Sequence, residues 1–177
     1  MNFFEAVENR YSHKEAFLPD AVPMRDLERI AAAGLAAPSG ANRQSVRLII
    51  LPTPADIAPI CKINPCIGLE TAPAAILMLT DNRTHTGSFG MNFEMEDYSC
   101  ATENMLLAAT ALGYASLWLD SPFFDAEKEA AARKAMGAPD EMKVRVILPI
   151  GKPASEGSRR EKLPYSERVW VGRYLGK

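Results

Sequence analysis

Histidine is nearly missing from this 177-residue chain, which carries two, His13 and His85. Its three cysteines, Cys61, Cys66 and Cys100, form no C-x-x-C pair and leave an odd number. These scarcities exclude a zinc ligand set at any recognisable spacing and leave no obvious catalytic triad. The thiols read as packed or idle, and a Cys61–Cys66 disulfide does not suit a chain that reads as cytoplasmic. An excess of positive charge is missing too, since 20 Lys and Arg face 22 Asp and Glu. That balance argues against general nucleic-acid binding, which needs a basic face. No apolar run reaches the roughly 18 residues of a membrane span; the longest, "APAAILML", reads as a buried strand. The N-terminus has no basic segment ahead of an apolar one, so it does not read as a signal peptide. Repeats, low-complexity segments and a glycine-rich dinucleotide fingerprint are all lacking.

What remains is an ordinary globular composition, 47% hydrophobic and 24% charged, long enough for one domain spanning residues 1–177. Apolar spacing predicts helices over 2–9, with a stripe of Phe3, Phe4 and Val7, and from Pro23 to about Pro38. "SVRLIILP" reads as a strand and "PADIAPICK" as a short helix. "APAAILMLTD" reads as a strand covered on both faces, because its apolar run is continuous. Residues 81–96 read as a loop of functional length. A long helix follows over 97–112, with Met105, Leu106, Ala109 and Leu112 as its core face and Gly113 as its stop. The strand "YASLWL", a helix over 125–136 and the strand "KVRVILPIG" complete the pattern. Alternating elements predict an α/β or α+β layered sandwich. The tail, 152–177, begins polar yet ends in Val169, Trp170, Val171, Tyr174 and Leu175, which need something to pack on.

Three stretches carry the chemistry. "RYSHK" sets Arg10, Ser12 and Lys14 two residues apart just after a helix. On extended backbone their side chains point the same way and can converge on an anion. "APSGANRQ" combines a glycine that lets a ligand approach the backbone, Gly40, with the uncharged donors and acceptors of Ser39, Asn42 and Gln44. "RREKLP" is a second basic cluster near the C-terminus.

In order along the chain stand R-x-S-x-K at 10–14, P-S-x-x-N-x-Q at 38–44 and D-x-x-x-A-x-x-N-M-L-L-A-A-x-x-L-G at 97–113. They are followed by W-L-D-S at 118–121, G-x-P at 151–153 and a basic pair before Leu-Pro. This sequence resembles the nitroreductase family of FMN-dependent NAD(P)H oxidoreductases. The resemblance implies an α+β three-layer sandwich, a central mixed, mostly antiparallel sheet flanked by helices. It also implies an intertwined homodimer with FMN at the interface, the 152–177 tail reaching the partner.

It further implies that Arg10, Ser12 and Lys14, with Tyr11 among them, make one half of a cradle for the FMN phosphate. Arg160 and Lys162 look like the other half; charge-assisted bonds suit a dianion. Pro38, Ser39 and Gly40 resemble the loop lying on the isoalloxazine ring from the second subunit, and Asn42 and Gln44 complete its pattern. Asn64 matches a residue meeting the pyrimidine edge, while Trp118, Leu119, Asp120 and Ser121 flank the opposite face. There the backbone N–H groups of Asp120 and Ser121 approach N5 and O4, so no side chain is assigned as catalytic and no metal is implied. The flavin carries the redox chemistry. NADH or NADPH is the implied reductant, and the acceptor a small conjugated molecule such as a nitroaromatic or quinone. Phe89, Met91, Phe93 and Tyr98 are the substrate-side candidates. Alternatives on the same fold are reductive dehalogenation, flavin fragmentation or a non-catalytic flavin-binding dimer. One departure stands out: Ile67 occupies a position where many members carry a lysine near N1 and O2, and Lys62 is close but not aligned.

Overall fold

The computed structural model describes residues 1–81, 92–174 and 176. Phe89, Met91, His85 and Leu175 lie outside the described residues. Among the described residues four strands form one sheet: β1 (Val46–Leu51), β2 (Ala74–Asp81), β3 (Ala115–Ser116) and β4 (Met142–Gly151), in the order β1-β2-β4-β3. All three pairings are antiparallel. A single parallel bridge, Ser12 to Ser116, adds the mixed character. The helices are α1 (Phe3–Asn9), α2 (Met24–Leu35), α3 (Pro54–Ile63), α4 (Ile67–Glu70), α5 (Glu94–Ala111) and α6 (Ala126–Ala135).

Central strand β2 is buried along all eight residues, as its continuous apolar run requires. Successive side chains serve opposite faces. Ile76 and Met78 join α2 and α5 through Leu27, Ile30, Ala101 and Met105. Leu77 and Leu79 join α3 and α6 through Ile57, Ile60 and Ala132. The result is the α+β three-layer sandwich, and each fully buried large side chain contributes roughly 1.5–3 kcal/mol before entropy is subtracted.

Helix α2 stops at Leu35, short of Pro38, α4 adds a turn the sequence reading did not contain, and two further departures bear on the site. Helix α5 begins at Glu94, a turn before Asp97. The cause lies across the sheet, where the register of β2 on β4 slips between Met78 and Leu79. Arg145 is left over, and such a bulge re-aims its side chain. Arg145 pairs with Glu94 at the start of α5, donates 2.9 Å to Thr80 Oγ1, and stands over the Tyr98 ring at 5.6 Å. Thr80 in turn donates 3.1 Å to Glu94.

"YASLWL" yields strand only at Ala115–Ser116, although Leu119 pairs again with Ile147. Carrying the β3–β4 register forward sets Leu117 opposite Pro149, which has no N–H to give. The ladder breaks there and resumes two residues later.

Met105, Leu106 and Ala109 face the core and Leu112 packs against it. The Phe3, Phe4 and Val7 stripe does the opposite: these side chains are 65%, 73% and 46% exposed, and Ala6 makes the inward contact. Val169, Val171 and Tyr174 of the tail are exposed as well. Among the described residues no helix is long and apolar enough to cross a membrane.

The Arg145–Glu94 pair is nearly buried on both sides. Glu94→Gln leaves the guanidinium without its carboxylate, and loss of one partner of a buried pair costs about 3 kcal/mol. Urea unfolding should show that loss at unchanged slope; a midpoint equal to wild type would mean the pair contributes nothing.

Candidate functional site

Helix α1 ends at Asn9, and Arg10 is already extended (φ −64°, ψ 130°). The extended run that follows splits its side chains as the two-residue spacing predicts. Ser12 and Lys14 are exposed, while His13 is fully buried between Phe17 and the Ala16 carbonyl, 2.9 Å from Nε2. The strip is fixed to the sheet by the His13 N–H, which donates 2.9 Å to Ser116 O. Arg10 lies 3.5 Å from Glu103 on α5 and remains partly exposed, a pair worth about 0–1 kcal/mol.

The C-terminal segment returns to this strip through residues 152–154 and Arg159. Leu18 N–H donates 2.8 Å to Lys152 O, Ala154 N–H donates 3.0 Å to Ala16 O, and Phe17 bridges Pro153. This short antiparallel crossing explains the G-x-P motif. A Cβ at Gly151 would stand 2.7 Å from Pro73 and 3.0 Å from Phe17. Beyond the crossing the tail continues back along the first strip as far as Arg159. Arg159 is the member of the cluster whose contacts anchor it there. Its guanidinium lies 5.6 Å from the Tyr11 ring, donates 2.9 Å to Glu8 O and reaches Asn9 Oδ1 at 3.3 Å. A cation at the last turn of a helix is favourably placed. Arg160 and Lys162 follow it in sequence and are exposed. Sequence reasoning missed Arg159; the basic run was visible, but its anchoring member was not.

Between α2 and β1, residues 38–45 form a tightly held loop. Ala41, Asn42 and Gln44 have φ of 53°, 56° and 51°, a left-handed conformation costing a non-glycine residue about 1–2 kcal/mol. The loop is held from several sides. Asp97, almost wholly buried, accepts from Gly40 N–H at 2.7 Å and from Ser45 Oγ at 2.6 Å. Ser39 Oγ accepts from Gln44 N–H at 2.9 Å, and Arg47 donates 2.6 Å to Gln44 O. Phe93 packs on Gly40 so closely that a Cβ there would lie 2.4 Å from its Cγ. A cavity of about 500 Å³ borders this loop and is lined by Pro38, Ser39, Gln44, Asp97, Arg47 and Leu48, among others.

The remaining predicted residues follow β3 and α3. Leu119 exchanges hydrogen bonds with Ile147, at 3.2 and 3.0 Å. Trp118 Nε1 donates 2.8 Å to Asp120 Oδ2, and its ring stands 6.3 Å from Tyr98. Tyr98 is therefore a core residue between Trp118 and Arg145, 8% exposed, and its ring faces no open substrate surface. Burial, then the Asp120 carboxylate, pushes its phenol pKa up. Asp120 heads the 3-10 turn Ser121–Phe124. Asn64 caps the end of α3, half-buried, and Ile67 opens α4 at 46% exposure, with Lys62 exposed nearby. Helix α4 reaches the Trp118 segment, since a Cβ on Gly68 would stand 3.4 Å from Leu117. Burial, with Glu70 and Cys66 adding to it, pushes the Cys61 thiol up and disfavours the reactive thiolate. All three thiols are free.

The model of the nitroreductase family matches residues 7–65 and 62–152. The chain belongs to the nitroreductase family. A protein of Archaeoglobus fulgidus provisionally named an NADH dehydrogenase/NAD(P)H nitroreductase is 32% identical over 135 residues, 74% of each chain. A solved nitroreductase family protein of Clostridium difficile 630 shares 28% identity and a TM-score of 0.78, covering 98% of this chain and all of that one. A structure from Desulfovibrio desulfuricans, provisionally named a nitroreductase and solved with FMN, has a TM-score of 0.81 at 23% identity, over 98% of each chain.

The nitroreductase family match ends at residue 152, so the second basic cluster lies beyond it. Its place beside the first rests on the crossing at 16–18 and 152–154 and on Arg159. Gly157 is the tight point of that docking, since a Cβ would fall 2.1 Å from Tyr11 Cε2. Gly157→Ala should therefore push the tail off Tyr11, and trypsin should cut after Arg159, Arg160 and Lys162 several times faster than in wild type. Unchanged cleavage would show that Tyr11 yields without freeing the tail.

Proposed function

We propose that the chain is an FMN-dependent oxidoreductase, taking hydride from NADH or NADPH and passing reducing equivalents to a small conjugated acceptor such as a nitroaromatic or quinone. The observation supporting this reading is the docking of the tail on α1, where Arg159 meets Glu8 O and the Tyr11 ring and its neighbours Arg160 and Lys162 follow directly in sequence. The donor set fits a terminal phosphate. Arg10 offers a fork and Lys14 a point cation, Ser12 adds a hydroxyl, and Arg160 and Lys162 supply two further charges from the other chain end. Arg159 holds this second pair in place rather than joining it.

The other predicted contacts have matching chemistry. Asn64, at the end of α3, offers an amide to the polar edge of the ring. Asp120 and Ser121 begin a helical turn, whose first N–H groups have no partner inside it and are available to the ring's acceptors. Trp118 fixes Asp120 by its 2.8 Å bond, and so orients that backbone. Loop 38–44 presents Ser39, Gly40, Asn42 and Gln44 against a ring face. FMN, when bound, supplies the hydride-accepting N5 and the two-electron chemistry. Phe93, packed on Gly40, is the described aromatic best placed to meet an acceptor.

A homodimer completes the proposal. Phe3, Phe4 and Val7 on α1 and Val169, Val171 and Tyr174 on the tail are exposed in one chain. Strand β1 is a sheet edge with Leu48, Ile49 and Ile50 half-buried. Exposed apolar patches and open edges of this kind are normally covered. The tail of a second copy is the proposed cover.

The experiment is to purify the full chain, release its flavin by heat and identify it by chromatography. The holoprotein is sized by light scattering and mixed anaerobically with NADH, NADPH and then an acceptor. Expected are FMN, a dimeric mass, bleaching by a nicotinamide and recolouring by a quinone or nitroaromatic. FAD, or no flavin after reconstitution, would overturn the cofactor assignment; yellow protein that no nicotinamide bleaches would overturn the activity.

A further inference from the structure

We propose that Asp97 is the positioning residue of the proposed flavin-facing loop, acting on the ring through residues 38–44 rather than by touching it. The inference rests on the reading that this loop faces a flavin. Three observations carry it. The carboxylate is 3% exposed and both its oxygens are committed, one to Gly40 N–H at 2.7 Å and one to Ser45 Oγ at 2.6 Å. These two partners bracket the loop, so a single group sets the distance between its ends. Within the bracket, Ala41, Asn42 and Gln44 all hold left-handed backbone that a free chain would leave. Phe93, just ahead of α5, closes on Gly40 from the same side.

A carboxylate accepting from a backbone N–H and a hydroxyl makes charge-assisted bonds, stronger than neutral ones. Asparagine at 97 keeps the size but has a single acceptor oxygen, so one bond is lost and the loop samples other conformations. Apparent affinity then falls in proportion to the fraction of loop still in the binding shape. The effect is on the ring and not on the phosphate, which makes it separable from the cation cradle.

The test loads full-length wild type and variants with FMN or with riboflavin, which has the ring but no phosphate. Flavin release on dilution is followed by fluorescence, and melting temperature is recorded alongside. Asp97→Asn should weaken both flavins by the same factor, about tenfold, and change the visible circular dichroism of the bound ring. Ser45→Ala, which deletes one tie and leaves the carboxylate, should weaken both by about threefold and serves alone if Asp97→Asn does not fold. Arg10→Ala should weaken FMN only. Tyr114→Phe removes a part-buried bond of 2.9 Å to Asp26, which ties no residue of the loop, and should lower the melting temperature with both affinities unchanged.

Folded Asp97→Asn or Ser45→Ala protein with wild-type affinity for both flavins would overturn the positioning role while leaving the flavin reading intact. Wild type that retains neither flavin would overturn both. Loss of FMN affinity with riboflavin unchanged in Asp97→Asn would also overturn it, because the residue would then act on the phosphate side.

Discussion

The proposed site depends on one short antiparallel crossing, residues 16–18 on 152–154. It closes a loop holding most of the chain, so its entropic cost must be offset elsewhere, although that cost grows only by about 0.6 kcal/mol per doubling of length. The offset comes from the sheet. Strand β4 is clamped by β2 along its length and runs directly into Gly151, Lys152 and Pro153. Once β4 is in place, the crossing needs few bonds of its own. From there the tail runs back along the first strip, and Arg159 reaches the Tyr11 ring and Glu8 O. Arg159 and Tyr11, almost 150 residues apart, become neighbours because the fold's central pairing delivers both segments.

Helix α5 is the second organising part. Its first three turns make four separate ties: Glu94 to the bulged Arg145, Asp97 to loop 38–45, Tyr98 to Trp118, and Glu103 to Arg10. The 10–14 strip, loop 38–45 and the Trp118 segment are thereby referred to one rigid rod, while the tail cations are anchored on α1 through Arg159. Asn64 is reached from the other layer, through α4 and Leu117. Such an arrangement suits a cofactor that must be held by its phosphate at one end and aligned by its ring at the other.

Much of this was legible in the sequence, and the exceptions share a cause. The buried strand over 74–81 declared itself by a continuous apolar run, and the departure from helix after Asn9 by the spacing of Arg10, Ser12 and Lys14. The motifs led to the right family. The start of α5 was not legible, because Glu94 is held by an arginine freed by a bulge in a strand 50 residues onward. Nor was the break at Leu117, imposed by Pro149 on the neighbouring strand. Asp97 and Arg159 were visible as part of a motif and of a basic run, yet their partners are fixed only by tertiary contact. Tyr98, read as facing substrate, is held in the core by Trp118 and Arg145. The outward Phe3, Phe4 and Val7 show the same limit one level up. Their periodicity correctly indicates a helix, and says nothing about whether the covering surface belongs to this chain.

The convergence of both chain ends on one phosphate is the central claim, and full-length Arg160→Ala/Lys162→Ala protein tests it most directly. Both side chains are exposed, so the fold should survive their loss. Equilibrium titration with FMN and with riboflavin separates phosphate from ring. The account predicts FMN binding weaker by at least about tenfold, since charge-assisted bonds are worth roughly 1.5–3 kcal/mol, with riboflavin binding unchanged. Equal FMN affinity in the variant and wild type would contradict it.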